Sequence, residues 1–336
     1  MRTFTTIDKI AQDITGFPVH TQTAIAVIQK DIVQYHGFLN NENGLQPINN
    51  TGLSFEIGSV TKPFTGLIFA QLLVEKKVQL QDLIQDYLPF PLKNNPAITL
   101  KQLATHTAGL PRIPANLHSQ PDFDSTNPYK NYTIAQLAAY CSHELQLNNP
   151  PGTVYEYTNL GYTLLGYIIS LIEKAPLAQV VAARIFKPLN MQHSTYNVQE
   201  VITPIVAGID DKENFCNHWD GGISNGSLGI ISTIEDMARF AISMCDPSNI
   251  AATIQASETF TIDQSVIINL GWSELLILPE NIYMQGINGG TGGYGASVLL
   301  NRNQQCSVVL LTNCWPWHYL EKIYPLGKTL LVELSQ

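Results

Sequence analysis

Ser59 and Lys62 stand three residues apart in the segment Phe55-Glu56-Ile57-Gly58-Ser59-Val60-Thr61-Lys62-Pro63-Phe64-Thr65-Gly66. On a helix that spacing puts hydroxyl and amine on one face, so the amine can take the hydroxyl proton and turn serine into a nucleophile. A helix start adds unpaired amides and the positive end of the dipole, which disfavour a protonated lysine and favour a developing oxyanion. The competing reading makes Ser59 a simple helix cap and Lys62 a solvated side chain. Pro63 argues for it, because proline turns the preceding residue away from helical angles.

Two further segments carry chemistry. In Pro151-Gly152-Thr153-Val154-Tyr155-Glu156-Tyr157-Thr158-Asn159-Leu160-Gly161-Tyr162, a loop gives way to a helix. The phenol of Tyr157 can pass a proton between nucleophile and leaving group if a cation favours its phenolate, and Asn159 can donate to a substrate carbonyl while accepting from Lys62. Asn159 can equally be read as the cap of the following helix. In Asn288-Gly289-Gly290-Thr291-Gly292-Gly293-Tyr294-Gly295, glycines allow close backbone approach, and a strand amide there can complete an oxyanion hole with the amide of Ser59. A dinucleotide-binding loop would need a helix after the glycines, whereas Ala296–Leu300 reads as a strand.

The elements that must position these groups come from both ends of the chain. Apolar runs at Thr23–Ile28 and Ile32–Phe38 predict a hairpin, and Ala296–Leu300 with Cys306–Thr312 predict another. Leu320, Ile323, Leu326, Leu330 and Leu334 mark a closing helix with Pro325 as a kink. Between them Thr65–Lys77, Ile134–Cys141, Leu160–Glu173 and Leu177–Phe186 have helical spacing. The expected fold is mixed α/β (α+β): an antiparallel sheet built from both chain ends, flanked by helices and interrupted by a mainly helical insertion, with the site at the seam. We expect one domain over 1–336, in which 1–58 with 205–336 form the sheet-and-helix part and 59–204 the helical part.

The three segments, in this order, resemble the serine β-lactamase and DD-peptidase superfamily, in particular its class C β-lactamase-like, penicillin-binding-protein-like branch, which includes esterases and amidases. The stretches Leu103–Pro111, Ile230–Thr233 with Glu235–Phe240, and Leu270-Gly271-Trp272 are similar to the family as well. The resemblance covers about residues 20–315 and implies Ser59 as nucleophile, Lys62 as its activating partner and Tyr157 as general acid/base. It further implies Asn159, Asn288, Gly289, Gly290 and Thr291 at the substrate, with the Ser59 and Gly290 amides as oxyanion hole. One position departs: where relatives open the third segment with lysine or histidine, this chain has Ile287. The lost cation would help deprotonate Tyr157 and anchor a substrate carboxylate, so β-lactams are expected to be poor substrates, and an ester, amide or neutral peptide better ones. A compensating basic residue would have to come from another loop. The alternative reading is a catalytically silent member that binds a ligand or partner in the same cleft.

Composition excludes several other classes. The chain has 336 residues with 18 basic and 27 acidic side chains, a net charge of −9, and no Lys/Arg-rich run, which argues against nucleic acid as a partner. The longest apolar stretch, Phe64–Val74, is too short and too interrupted to span a membrane. No secretory signal is evident from Met1 to Pro18, so the expectation is a cytoplasmic protein if this is the native full length, periplasmic if a signal was removed. Histidines and the five cysteines form no metal-ligand spacing, so neither metal nor other cofactor is expected. Two rival nucleophiles remain: Ser224 in Gly222-Ile223-Ser224-Asn225-Gly226, which lacks the strand that an α/β-hydrolase elbow needs, and Cys314 with His318, interrupted by Pro316.

Overall fold

The structure is a computed structural model; it describes residues 5–277, 280–314 and 316–336, the side chains of 5 and 316–321 excepted. Its first strands, β1 (Gln22–Gln29) and β2 (Ile32–Asn41), turn at Lys30, which adopts positive φ, and β3 (Gly44–Pro47) and β4 (Ser54–Glu56) follow. A helix α1 (Thr5–Ile14) precedes them, and α2 (Thr61–Val74), α3 (Leu100–Ala104), α4 (Ile134–Ala139), α5 (Asn159–Glu173) and α6 (Leu177–Val181) make up the middle of the chain. Then come β5 (Gly208–Ile209), β6 (Phe215–Cys216), β7 (Ile231–Thr233), α7 (Ile234–Cys245), α8 (Ile250–Ser257), β8 (Phe260–Thr261), β9 (Val266–Ile268), β10 (Ser273–Ile277), β11 (Ile282–Gly290), β12 (Gly295–Asn301), β13 (Cys306–Thr312) and α9 (Pro316–Ser335).

Among the described residues, nine strands form one antiparallel sheet in the order β3-β2-β1-β13-β12-β11-β10-β9-β8. Both expected hairpins are present, and β1 joins them by pairing with β13, Thr23 opposite Thr312. The central strands are apolar without interruption because both faces are covered. Along β1, Ala24, Ala26 and Ile28 enter the large core with α2, α5 and α7, while Ile25 and Val27 face α1 and α9. The same two-residue period splits Val309 and Leu311 from Val308 and Leu310 in β13. Of the closing-helix stripe, Ile323, Leu330 and Leu334 are buried; Leu320 lies outside the described side chains. Pro325 sits inside α9. No single described helix is long and apolar enough to cross a membrane.

Helix α2 is apolar on nearly all sides and buried throughout its first ten residues, with the Phe64 ring stacked 3.8 Å from that of Phe240. Pro63 does not exclude Lys62 from it. Proline occupies the third position of the helix, in the first turn, where amides have no partner within the helix and no hydrogen bond is lost. Gly66 sits where α2 presses on the backbone before β10: a methyl at this position would lie 2.2 Å from the Leu270 carbonyl oxygen. That carbonyl accepts from Gln255 Nε2 at 2.6 Å, and the same nitrogen donates to the Pro63 carbonyl at 2.9 Å.

Gly66→Ala should therefore lower stability even though alanine is the better helix former by about 1 kcal/mol. Overpacking against backbone should outweigh that by about 2 kcal/mol, a loss of several degrees in melting temperature. A melting temperature at or above wild type would contradict this packing.

Candidate functional site

β4 ends at Glu56, and a single 3-10 turn, Gly58–Val60, leads directly into α2, so Ser59 and Lys62 are consecutive around one helical path. The turn is held from beneath by β11. Gly58 has φ +48°, and a side chain on it would meet the Gly290 amide nitrogen at 2.6 Å; one on Gly289 would meet the Ile57 carbonyl oxygen at 2.0 Å and the Ser59 nitrogen at 2.9 Å. Both glycines are thus required by backbone meeting backbone. The contact brings the backbone around Ser59 against that of Gly289 and Gly290.

Lys62 is fully buried. Its Nζ lies 3.0 Å from Ser59 Oγ, 2.8 Å from Asn159 Oδ1 and 3.0 Å from the Ser227 carbonyl oxygen. Loss of water around the amine, with a smaller contribution from the Arg112 guanidinium, holds its pKa well below the usual lysine range. Asn159 is not the cap of α5: Thr158 is, accepting from the Gly161 amide at 3.1 Å, and Asn159 is the first helical residue. Its amide is fixed at both ends, with Nδ2 donating to the Tyr129 hydroxyl at 3.1 Å.

Tyr157 shares a hydrogen bond with Ser59. Its ring packs 4.6 Å from that of His106 and lies 4.7 Å from Lys62 Nζ and 5.3 Å from the Arg112 guanidinium carbon. Burial pushes the Tyr157 hydroxyl up, and the Ser59 hydrogen bond and the Arg112 charge only partly oppose it. The phenolate is therefore not the favoured form, in line with the loss of a cation at Ile287. His106 is buried and its Nδ1 accepts from the Thr158 amide at 3.2 Å; burial above all, with the Arg112 guanidinium nearby, holds its pKa well below the usual imidazole value. It packs as a neutral support for Tyr157.

Arg112 and Tyr129 were not singled out from the sequence. The carbonyls of Pro111 and Arg112 accept from Thr158 Oγ1 at 2.8 Å and from the Asn159 and Leu160 amides at 2.8 and 3.2 Å, so this loop closes the start of α5 and carries a solvent-facing guanidinium to the Tyr157 ring. Its only sequence signal is a charge directly after the Leu103–Pro111 stretch. Asn288 accepts a short hydrogen bond from Ser297 Oγ and shares one with Tyr324 of α9. Thr291 lies in the β11–β12 turn, its amide donating to the Tyr294 carbonyl at 3.1 Å and its buried hydroxyl without a partner.

The rival nucleophiles are placed elsewhere. Ser224 is buried in a 3-10 turn, with no base at its hydroxyl, which accepts from Thr163 Oγ1 at 3.1 Å. His318 lies outside the described side chains, and burial pushes the Cys314 thiol up to about 12, away from the reactive thiolate. Among the described residues no group of three or more His, Cys, Asp or Glu could hold a metal ion.

The chain is 32% identical to "Protein flp" of Staphylococcus aureus (strain MW2) over 304 residues, 82% of this chain and 57% of that protein. It is 28% identical to "Beta-lactamase-like protein 4" of Dictyostelium discoideum over 278 residues, 77% of this chain and 45% of the other. It thus spans about half the length of these curated relatives. The fold superposes on a class C β-lactamase with a TM-score of 0.80 at 19% identity, covering 98% of this chain and 95% of that one. The Beta-lactamase family model matches residues 18–326, and the chain belongs to the β-lactamase family.

Proposed function

We propose that the protein is a serine hydrolase that cleaves an ester, amide or peptide through an acyl-enzyme on Ser59. The observation that carries this reading is the environment of Lys62 Nζ. A neutral amine has two N–H groups and one lone pair. With Asn159 Oδ1 and the Ser227 carbonyl as its two acceptors, the lone pair is left for the Ser59 hydroxyl, which donates to it across 3.0 Å.

The protonation states divide the work. Lys62, held neutral, takes the Ser59 proton as Oγ bonds to the substrate carbonyl carbon and the carbonyl electron pair moves onto oxygen, beside the Ser59 and Gly290 amides. Tyr157, held protonated, gives its proton to the departing alcohol or amine as that bond breaks. The resulting phenolate then takes a proton from water, whose oxygen attacks the acyl carbon, and Ser59 Oγ leaves with the proton held on Lys62. Each group ends as it began. Arg112 lends the positive charge that Ile287 cannot, at the Tyr157 ring.

Intact-mass measurement after exposure to a fluorophosphonate should show one adduct on wild type and none on Ser59→Ala, and ester turnover should fall about a thousandfold or more in the variant. Labelling of Ser59→Ala, or undiminished turnover, would remove the assignment. Absence of any adduct on wild type would instead favour a silent member that only binds.

The pH profile tests the division of roles. Acylation needs neutral Lys62 and protonated Tyr157; burial keeps the tyrosine protonated far into the alkaline range, so kcat/KM should rise with pH through the lysine to a plateau. Arg112 lowers both values. Arg112→Met should therefore move the rising limb to higher pH; a limb that stays in place or moves to lower pH would contradict it.

A further inference from the structure

Strand β10 pairs with β11 only as far as Gly286, opposite Ser273, so the edge of β11 beyond that point has no strand partner among the described residues. The gap between this edge and the Gly271–Ser273 segment is a cavity of about 330 Å³, the size of a small-molecule subsite. Tyr157 and Tyr155 form one wall and Ile287 another. Ile262 and Leu275 from the sheet edge, and Tyr324 from α9, complete it. None of its lining residues is Lys, Arg, Asp or Glu, and His106, the one titratable base among them, is held neutral.

Resting on the acyl-enzyme reading above, we propose that this cavity is a specificity pocket for the leaving group, and that it takes an uncharged, apolar alcohol or amine. The geometry gives the side. A substrate carbonyl seated against the Ser59 and Gly290 amides must turn its departing atom toward the proton donor, Tyr157, and the cavity opens from that same tyrosine. The chemistry gives the occupant. A carboxylate entering here would shed its water against Ile287, Ile262 and Leu275, and the cations nearest these walls, Arg112 at the Tyr157 ring and Lys328 at the Tyr324 ring, are not among the lining residues, whereas each buried methylene gains by leaving water. Ile287 is then a specificity-determining residue: it removes an anion partner and supplies apolar wall.

The test uses the full chain and esters whose alcohols have similar acidity. Hexyl acetate and ethyl hexanoate are isomers, so they differ only in which side carries the chain. kcat/KM for hexyl acetate should exceed that for ethyl acetate, ethyl hexanoate and 6-acetoxyhexanoate by about tenfold or more each. Ile287→Lys should raise 6-acetoxyhexanoate relative to hexyl acetate by about tenfold or more. Ile287→Ala, the milder change, should narrow the gap between hexyl and ethyl acetate. If turnover is too slow to measure, 1-hexanol should protect Ser59 from fluorophosphonate and 6-hydroxyhexanoate should not. A preference for ethyl hexanoate, ratios unmoved by both variants, or no protection by 1-hexanol would overturn the pocket while leaving Ser59 labelling intact. Failure of wild-type Ser59 to label and to turn over any ester would instead overturn the acyl-enzyme reading and the pocket with it.

Discussion

The site depends on keeping one amine out of water without leaving it unbonded. An isolated ammonium in such a place would be strongly disfavoured, and a neutral amine with idle N–H groups would still carry a desolvation penalty. Lys62 avoids both because Asn159 and the Ser227 carbonyl arrive from separate parts of the chain, 97 and 165 residues away. Much of the architecture follows from bringing those acceptors in. Helix α5 must start at Asn159, which needs Thr158 as its cap and the Arg112 loop as its lid. The 3-10 segment Gly222–Gly226, which Ser227 follows, must press against α5, and Gly226 and Gly166 let the two backbones close.

The second constraint is the contact of two backbones at Gly58 and Gly289. It ties the turn that carries Ser59 to a strand more than two hundred residues later, and neither chain can carry a side chain there. The Ser59 turn and the facing strand are thereby set by main-chain atoms, which cannot change rotamer. The side chains of Tyr157, Arg112 and Ile287 surround this fixed centre and can vary without moving its backbone.

What the sequence revealed follows locality. Ser59 with Lys62, and Tyr157 with Asn159, are each separated by a turn or less, so spacing alone brings them together. The central strands were legible because burial on both faces leaves long apolar runs, as in Ala296–Leu300. The short edge strands β3 and β8 to β10 were not read, since pieces such as Gly44–Pro47 and Phe260–Thr261 bury little and alternate weakly. Pro63 misled because its effect depends on its place in the first turn. Arg112, Tyr129 and the walls formed by Ile262, Leu275 and Tyr324 become neighbours of Tyr157, Asn159 or Ile287 only through the tertiary fold. That Ile287 leaves Tyr157 without help in deprotonation was legible, but the larger cause of its raised pKa, desolvation, is a property of the assembled surroundings.

The pairing of β1 with β13 has a consequence for how the molecule is made. Thr23 and Thr312 are 289 residues apart, so the first hairpin emerges from the ribosome with one long apolar edge that nothing nearby can cover. Until β13 is synthesised, that edge is a template for pairing with another chain. The topology has high contact order and a late closing step, which favours slow folding and demands protection of β1 in the interval. A chain of this form therefore gains its rigid centre, flanked by strands far apart in sequence, only once β13 has been made.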